Sequence, residues 1–424
     1  MKVQLPYGEG AIEATLPDDA AVLVPTAVPA MADVDAAVRG AIAAPIGRPA
    51  LSKLARAGDR ACIVVSDVTR PVPNAVILPP VLETLESAGV RREDIVILVG
   101  TGLHRGSRED ERRRFLGDAL MSRYRVADHD ARDESSLVFH ATGPRTKGVY
   151  LNREYLNADL RILTGFVEPH LFAGYSGGGK AVLPAIAGAA EIMANHDARM
   201  IGHLKSTWCV THGNPIFEQM RDVALTTSPS FIVNVTLDEQ KRVTGVFAGE
   251  LVAAHDAAIA QAGRQALRPI PHPFDVVVVT NMGYPADLNL YQAVKAMSVA
   301  AQACAPGGSI VLVAECREGL GGPEYVELMR SERSPAALLD RFGRAGHATV
   351  HDQWQVQVQA MVQARCDVWL CSTLDRATVE SAHLRWGSDV DAVVGELSAG
   401  GKRVCVMPYG QLTVPVVTGE PAKA

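Results

Sequence analysis

The run Leu160-Arg-Ile-Leu-Thr-Gly-Phe-Val167, followed at once by Glu168-Pro-His-Leu-Phe-Ala-Gly-Tyr-Ser-Gly-Gly-Gly-Lys180, decides how the rest of the chain is read. Its first part is short and almost continuously apolar, as expected of a strand buried on both faces. Its second part is glycine-rich and ends on a cation. A buried strand opening into a polar loop is the repeating unit of a parallel sheet flanked by helices. Further runs share the strand composition: Ala61–Asp67, Asp94–Gly102, Phe231–Asp238, Phe274–Asn281, Ser309–Glu315, Asp367–Thr373 and Lys402–Pro408. Helical stretches separate them. The expected fold class is α/β: two α/β domains with mostly parallel sheets and the active site in the cleft between them.

The stretch Leu267-Arg-Pro-Ile-Pro-His-Pro273 suits neither a helix nor a central strand, because proline lacks the amide hydrogen. It divides the chain into an N-terminal domain, residues 1–270, and a C-terminal domain, residues 271–424. The end of the second domain is expected to pack back on the first, and 418–424 reads as a disordered tail. With 48% apolar residues the chain has ample material for a core. A net charge of −6 argues against nucleic acid as a partner. The seven cysteines are scattered, odd in number and without a C-x-x-C pair, as expected of reduced thiols in a cytoplasmic protein. The opening Met1–Gly8 reads as a strand rather than a signal peptide, and no apolar run is long enough for a membrane span.

Gly174 to Lys180 fits G-x-x-x-x-G-K, but Ala181 stands where a P-loop needs a hydroxyl for magnesium. Triphosphate hydrolysis is therefore disfavoured. A cradle for another phosphorylated ligand, built from Gly174, Gly177, Gly178, Gly179 and Lys180, competes with a flexible turn that binds nothing. Ligands of open α/β sheets bind beyond the carboxyl ends of strands. Three such ends carry reactive groups: Ser66–Pro73 (SDVTRPVP), Gly100–Arg105 (GTGLHR) and Glu168–His170. In one sheet they would bring Asp67, Arg70, His104 and His170 to one edge. Other positions stay open on pattern alone. His196 is a helix-surface histidine or a metal ligand. Tyr291, Gln292 and Lys295 open an exposed helix or grip a carboxylate from one of its faces. Trp354 walls a pocket or fills the core. The mixed-charge run Arg105–Arg114 suits a solvated helix face better than a phosphate patch.

Together these motifs resemble the nickel-dependent lactate racemase family. The resemblance rests on SDVTRPVP, GTGLHR, EPHLFAGYSGGGK, NHDAR at Asn195–Arg199, YQAVK at Tyr291–Lys295 and the Trp354 region, and spans nearly the whole chain. It implies a nickel-pincer nucleotide, the Ni(II) complex of pyridinium-3,5-bisthiocarboxylic acid mononucleotide. It also implies His196 as the metal ligand and Lys180 as the group that engages the cofactor. Asp67, Arg70, Thr101, Gly102 and Ser176 to Gly179 would surround that cofactor. His104 and His170 would be the acid/base pair, one for each enantiomer, while hydride leaves carbon 2 and returns to the other face of a planar 2-keto acid. Arg70, Tyr291, Gln292, Lys295 and Trp354 would bind a small 2-hydroxy acid. Gly179 departs from members that carry arginine before the lysine. Cofactor-making enzymes are implied as transient partners, and homodimer formation stays open. The alternatives are epimerisation of a larger polyhydroxylated or dicarboxylic 2-hydroxy acid, a non-catalytic phosphometabolite- or cofactor-binding protein, and a zinc hydrolase using His196.

Overall fold

The computed structural model describes residues 1–141 and 148–419. Among them, two six-stranded sheets carry the fold. The first runs, in spatial order, Val243–Gly249, Phe231–Leu237, Leu160–Phe166, Ala61–Ser66, Ile95–Gly100 and Arg125–Asp128. It is parallel except for its antiparallel edge pair Phe231–Leu237 and Val243–Gly249. The second runs Arg385–Gly387, Asp367–Cys371, Cys304–Val313, Phe274–Thr280, Val404–Met407 and Ala21–Val22, and is parallel throughout.

The buried runs form strands because both their faces are covered. On one face of the first sheet, Ile63, Val65, Ile97 and Val99 pack with Ile77, Leu78, Val81 and Leu85 of the helix Asn74–Ser87. On the other, Val64, Leu98 and Leu163 join a cluster that continues without a break into Val277, Val294 and Met297 of the second sheet and its helix. The two units therefore share one apolar core.

The division at residue 270 needs amendment at the chain's start. Residues 1–22 belong with the second sheet, not with the first unit. The hairpin Lys2–Tyr7 and Gly10–Thr15 lays Leu5 and Ala14 against Val276, Val278, Val311 and Val406. Ala21–Val22 then extends the sheet beside Val404–Met407. An alternating hairpin has one apolar face and must cover it somewhere; the pattern does not say where. At the other end, Val414–Val417 runs parallel to Leu267–Ile270, and the Thr418 amide donates to the Ile270 carbonyl at 2.9 Å. Residues 420–424 of the expected tail lie outside the described residues. No helix among the described residues is long and apolar enough to cross a membrane.

The glycine loop is fastened from below. His255, on the helix Leu251–Ala266, donates from Nε2 to the Ser176 carbonyl at 2.9 Å. The Gly178 amide donates to Asn234 Oδ1 at 2.9 Å. Gly178 has φ +52°, and a Cβ there would strike the His255 ring. A Cβ at Gly179 would sit 2.7 Å from the Met220 carbonyl oxygen. These two glycines are required by packing inside the protein.

Leu5→Ala removes a fully buried side chain from the hairpin's contact with the second sheet. It should cost about 2–5 kcal/mol in denaturant unfolding. Gly178→Ala should lower the melting temperature more than Gly400→Ala, whose φ is also positive but whose Cβ meets nothing within 4 Å.

Candidate active site

The strand order of the first sheet reverses between Ala61–Ser66 and Leu160–Phe166. The chain moves from Ala61–Ser66 outward on one side and later returns on the other, which opens a crevice at the carboxyl ends. Asp67, Thr101 and Val167 directly follow the three strand ends. The crevice is lined by Asp67, Arg70, Thr101, Gly102, His104, Gly165, Ser176, Gly177 and Lys180. Eight of these nine positions are among those expected from sequence; Gly165 is not. Gly178 and Gly179 are absent from the lining, and the Gly178 amide is already used by Asn234. Of the glycines expected to cradle an anion, Gly177 lines the crevice together with Lys180, while the Gly178 amide is turned to Asn234. The hydroxyls of Thr101 and Ser176 are also committed, donating to the carbonyls of His129 and Phe166.

His104 is oriented by Asp67, whose Oδ2 lies 2.6 Å from Nδ1. Asp67 Oδ1 is held in turn by the Thr69 amide at 3.1 Å and hydroxyl at 2.6 Å. Burial pushes the Asp67 carboxyl up. The hydrogen bond and charge of His104, with Thr69 and Arg70, outweigh that and hold it below its ordinary range. An ionised Asp67 keeps the His104 proton on Nδ1 and leaves the Nε2 lone pair free. The His104 side chain is 52% exposed and faces the crevice.

His170 sits on a two-residue strand paired with Gly174–Tyr175. Its Nδ1 accepts from the Ala173 amide at 3.2 Å. Burial, then the charges of Lys180, Arg70 and Lys295, hold its pKa well below the ordinary value, so the ring is neutral. It stacks edge-on against Phe172 at 4.6 Å; Phe172 meets His196 at 5.1 Å, and His196 meets Trp354 at 5.2 Å.

His196 ends the helix Ala189–Asn195, and Asp197 caps the next helix, Ala198–Ile201, through the Met200 amide. The NHDAR motif is thus a bend between two helices rather than a helix surface. His196 is 6% exposed, its Nδ1 lies 3.0 Å from the Ile192 carbonyl, and burial lowers its pKa to about 3. It is a neutral imidazole with Nε2 unengaged by hydrogen bonds from the described residues.

The second unit brings its residues to the same place. Tyr291, Gln292 and Lys295 lie on the first turns of the helix Leu290–Ala303, which Asn289 caps. Lys295 Nζ donates to Gln292 Oε1 at 2.9 Å. Burial, then Arg70, lower the Lys295 pKa to about 8, while Glu168 opposes the shift. Lys180 is lowered well below its ordinary value by burial and then Arg70, and the described residues offer its Nζ no hydrogen bond. Trp354 is 9% exposed, and Gln357 on the same helix, Gln353–Gln363, donates to the Ala198 carbonyl at 2.7 Å, tying the units together beside His196.

Besides Gly165, three positions near the site were not assigned a role from sequence. Glu168 is a carboxylate whose pKa burial raises against the pull of Arg70, Lys295 and Lys180. Asp352 has a left-handed backbone, φ +64°, and is 8% exposed beside Tyr291. Asn234 was visible only as a polar residue inside the apolar run Phe231–Asp238. The Arg105–Arg114 run also differs from a purely solvated face. Its Glu111 is buried and accepts from Arg105 Nη1 at 2.8 Å and from the Arg108 amide at 2.8 Å.

The chain is similar to known proteins along most of its length. A family model for the lactate racemase N-terminal domain matches residues 7–209, and one for the lactate racemase C-terminal domain matches 271–414. Lactate racemase from Lactiplantibacillus plantarum is 35% identical over 372 residues, 86% of this chain and 87% of that protein. Lactate racemase from Thermoanaerobacterium thermosaccharolyticum is 32% identical over 365 residues, 85% of each. The solved apoprotein of lactate racemase from Thermoanaerobacterium thermosaccharolyticum superposes with a TM-score of 0.90 at 29% identity, covering 98% of this chain and all of that one. A Thermotoga maritima protein, with a TM-score of 0.66 and 18% identity over 90% of this chain and 98% of its own, shares the fold. The two domain matches and the full-length relatives make this chain an isomerase of the racemase type, and it belongs to the lactate racemase family.

Proposed function

We propose that the chain racemises a small 2-hydroxy acid of the lactate type on a bound nickel-pincer nucleotide, with His104 and His170 as its acid/base pair. The observation that carries this reading is the convergence of two imidazoles and three half-buried cations, Arg70, Lys180 and Lys295, at one strand-end crevice and its rim. Two oriented imidazoles suit a substrate that must exchange a hydroxyl proton in either configuration.

The residues fit the nucleotide. His196 offers a neutral imidazole with a free Nε2, a good donor to square-planar Ni(II). Its Nδ1 contact with the Ile192 carbonyl fixes the ring, as backbone carbonyls do for metal-bound histidines. Among the described residues no group of three or more His, Cys, Asp or Glu could hold a metal. One imidazole suits an ion that arrives with its own ligands. Lys180 and Arg70 would hold the nucleotide's acidic groups, and cofactor-making enzymes would deliver it. When bound, the nucleotide supplies the acceptor and donor for the hydride at carbon 2.

The chain's own residues do the rest. Lys295, steadied by Gln292, binds the substrate carboxylate together with Arg70. Its pKa of about 8 keeps it charged at neutral pH, and this grip weakens as pH rises through that value. His104 takes the hydroxyl proton of one enantiomer at Nε2, and Asp67 stabilises the imidazolium that results. His170 serves the other enantiomer. Its neutral ring accepts at Nδ1 from Ala173, so its proton resides on Nε2 and must move to Nδ1 before Nε2 can act as a base. Trp354 and Tyr291 close the site against water. A larger polyhydroxylated acid is the second reading. Asp352 favours it, because this buried carboxyl beside Tyr291 would accept hydrogen bonds from additional hydroxyls.

The test is to load the chain with nickel and the cofactor-making enzymes, then follow interconversion of 2-hydroxy acid enantiomers. His104→Ala and His170→Ala should each lower turnover at least ~10²-fold with nickel content unchanged. His196→Ala should lose nickel. Turnover within a few-fold of the unmutated enzyme in His170→Ala would remove that residue from the pair.

A further inference from the structure

The glycines of the site loop are required by the protein itself. A Cβ at Gly174 would strike the Val210 carbonyl, and one at Gly177 would lie 2.7 Å from Val167 Cγ2. Gly178 and Gly179 are pinned as described above. Gly165 is different. It lies within the central strand Leu160–Phe166, where a glycine weakens the sheet. Its φ is not positive. A methyl at Gly165 would meet Asn234 Nδ2 at 3.7 Å and Gly177 Cα at 3.8 Å, both ordinary contacts. Neither packing nor backbone conformation demands glycine there, yet Gly165 lines the crevice. A bare position in a central strand marks close approach by something else.

Asn234 is an independent observation at the same spot. It pairs in register with Gly165 on the adjacent strand, so both side-chain positions face the same side of the sheet. It is 1% exposed. Its Oδ1 accepts from the Gly178 amide, which fixes the orientation of the carboxamide, since only its oxygen can accept. Nδ2 is left buried without a hydrogen-bond partner among the described residues. It points to the place where Gly165 has no side chain. Buried amide donors are nearly always satisfied, so an orphan beside a crevice calls for an acceptor.

We infer that Asn234 is a further ligand-binding residue of the crevice: Nδ2 donates, past the bare Gly165, to an anionic oxygen of the bound nucleotide. The acceptor is anionic because Arg70 and Lys180 line the same crevice. This inference rests on the nickel-nucleotide reading above. It explains a glycine that packing does not demand and the amide nitrogen of an asparagine whose oxygen alone serves the fold.

Two variants separate ligand contact from structure. Asn234→Asp keeps an acceptor for Gly178 and replaces the donor with negative charge. Gly165→Ala leaves Asn234 intact and covers Nδ2 with a methyl group the protein can accommodate. Both are loaded beside the unmutated chain, and nickel per chain is followed during dialysis, with the melting temperature of each unloaded protein. Both variants should release nickel at least ~10-fold faster, the loss expected for a hydrogen bond to a charged group. Unloaded Gly165→Ala should melt no lower than the unmutated chain. Normal retention in Gly165→Ala overturns the inference, and it decides alone if Asn234→Asp does not fold. Normal retention in folded Asn234→Asp also overturns it. An unmutated chain that takes up no nickel removes the underlying reading, and the inference falls with it; that outcome is recognised in the control rather than in the variants.

Discussion

Positive charge gathered at one half-buried site, with little negative charge to match it, sets the terms for this molecule. Arg70, Lys180 and Lys295 act on one another across the site, and each of the two lysines is pushed below its ordinary pKa. Glu168 is the carboxylate that answers both lysines, and it is itself raised by burial. Asp67 is committed to His104 and Thr69. Holding cations in a poorly solvated place costs several kcal/mol per ion unless each is paired. Cations gathered this way suit anions that come from outside, which on the proposed reading are a substrate carboxylate and the acidic groups of a nucleotide.

The rest of the fold serves that arrangement. A parallel sheet that reverses its order at Ala61–Ser66 supplies a crevice, and three strand ends aim side chains into it. The glycine loop is drawn down onto His255, Asn234 and Met220, which fixes where Lys180 emerges. The second unit closes the other side. The Gln357 bond to Ala198, the Trp208 Nε1 bond to Ser298 at 3.1 Å and the unbroken apolar cluster hold it there. His196 lies at this junction, between Phe172 of one unit and Trp354 of the other, so the imidazole expected to bind nickel is set by both halves of the chain.

The inner strands of both sheets were legible because burial on both faces leaves an apolar run with few alternatives, whereas the edge strands Val243–Gly249, Arg125–Asp128, Arg385–Gly387 and Ala21–Val22 lack that signal. Strand ends were legible for the same reason, and with them the meeting of Asp67, Arg70 and His104 in the crevice. The start of the chain was not, since an amphipathic hairpin shows that it needs a partner and not which one. The glycine loop was legible in composition but not in the direction its amides take. G-x-x-x-x-G-K has the same composition whether its amides face a ligand or a neighbouring helix, and here Gly178 and Gly179 face the protein. His196 could not be assigned from spacing, because a single metal-binding imidazole has no spacing. Gly165 and Asn234 were in view as oddities, a glycine and an amide inside buried strands, but only their pairing across the sheet gives them meaning.

The central claim of the proposed function is that the two histidines handle only the hydroxyl proton, so the hydrogen on carbon 2 is never released to solvent. The most direct measurement is racemisation of one enantiomer deuterated at carbon 2, run in ordinary water and analysed by mass spectrometry of the opposite enantiomer. The account predicts that the product keeps its deuterium. Loss of deuterium to solvent in step with racemisation would mean that a side chain removes the carbon-bound hydrogen as a proton, and would contradict it.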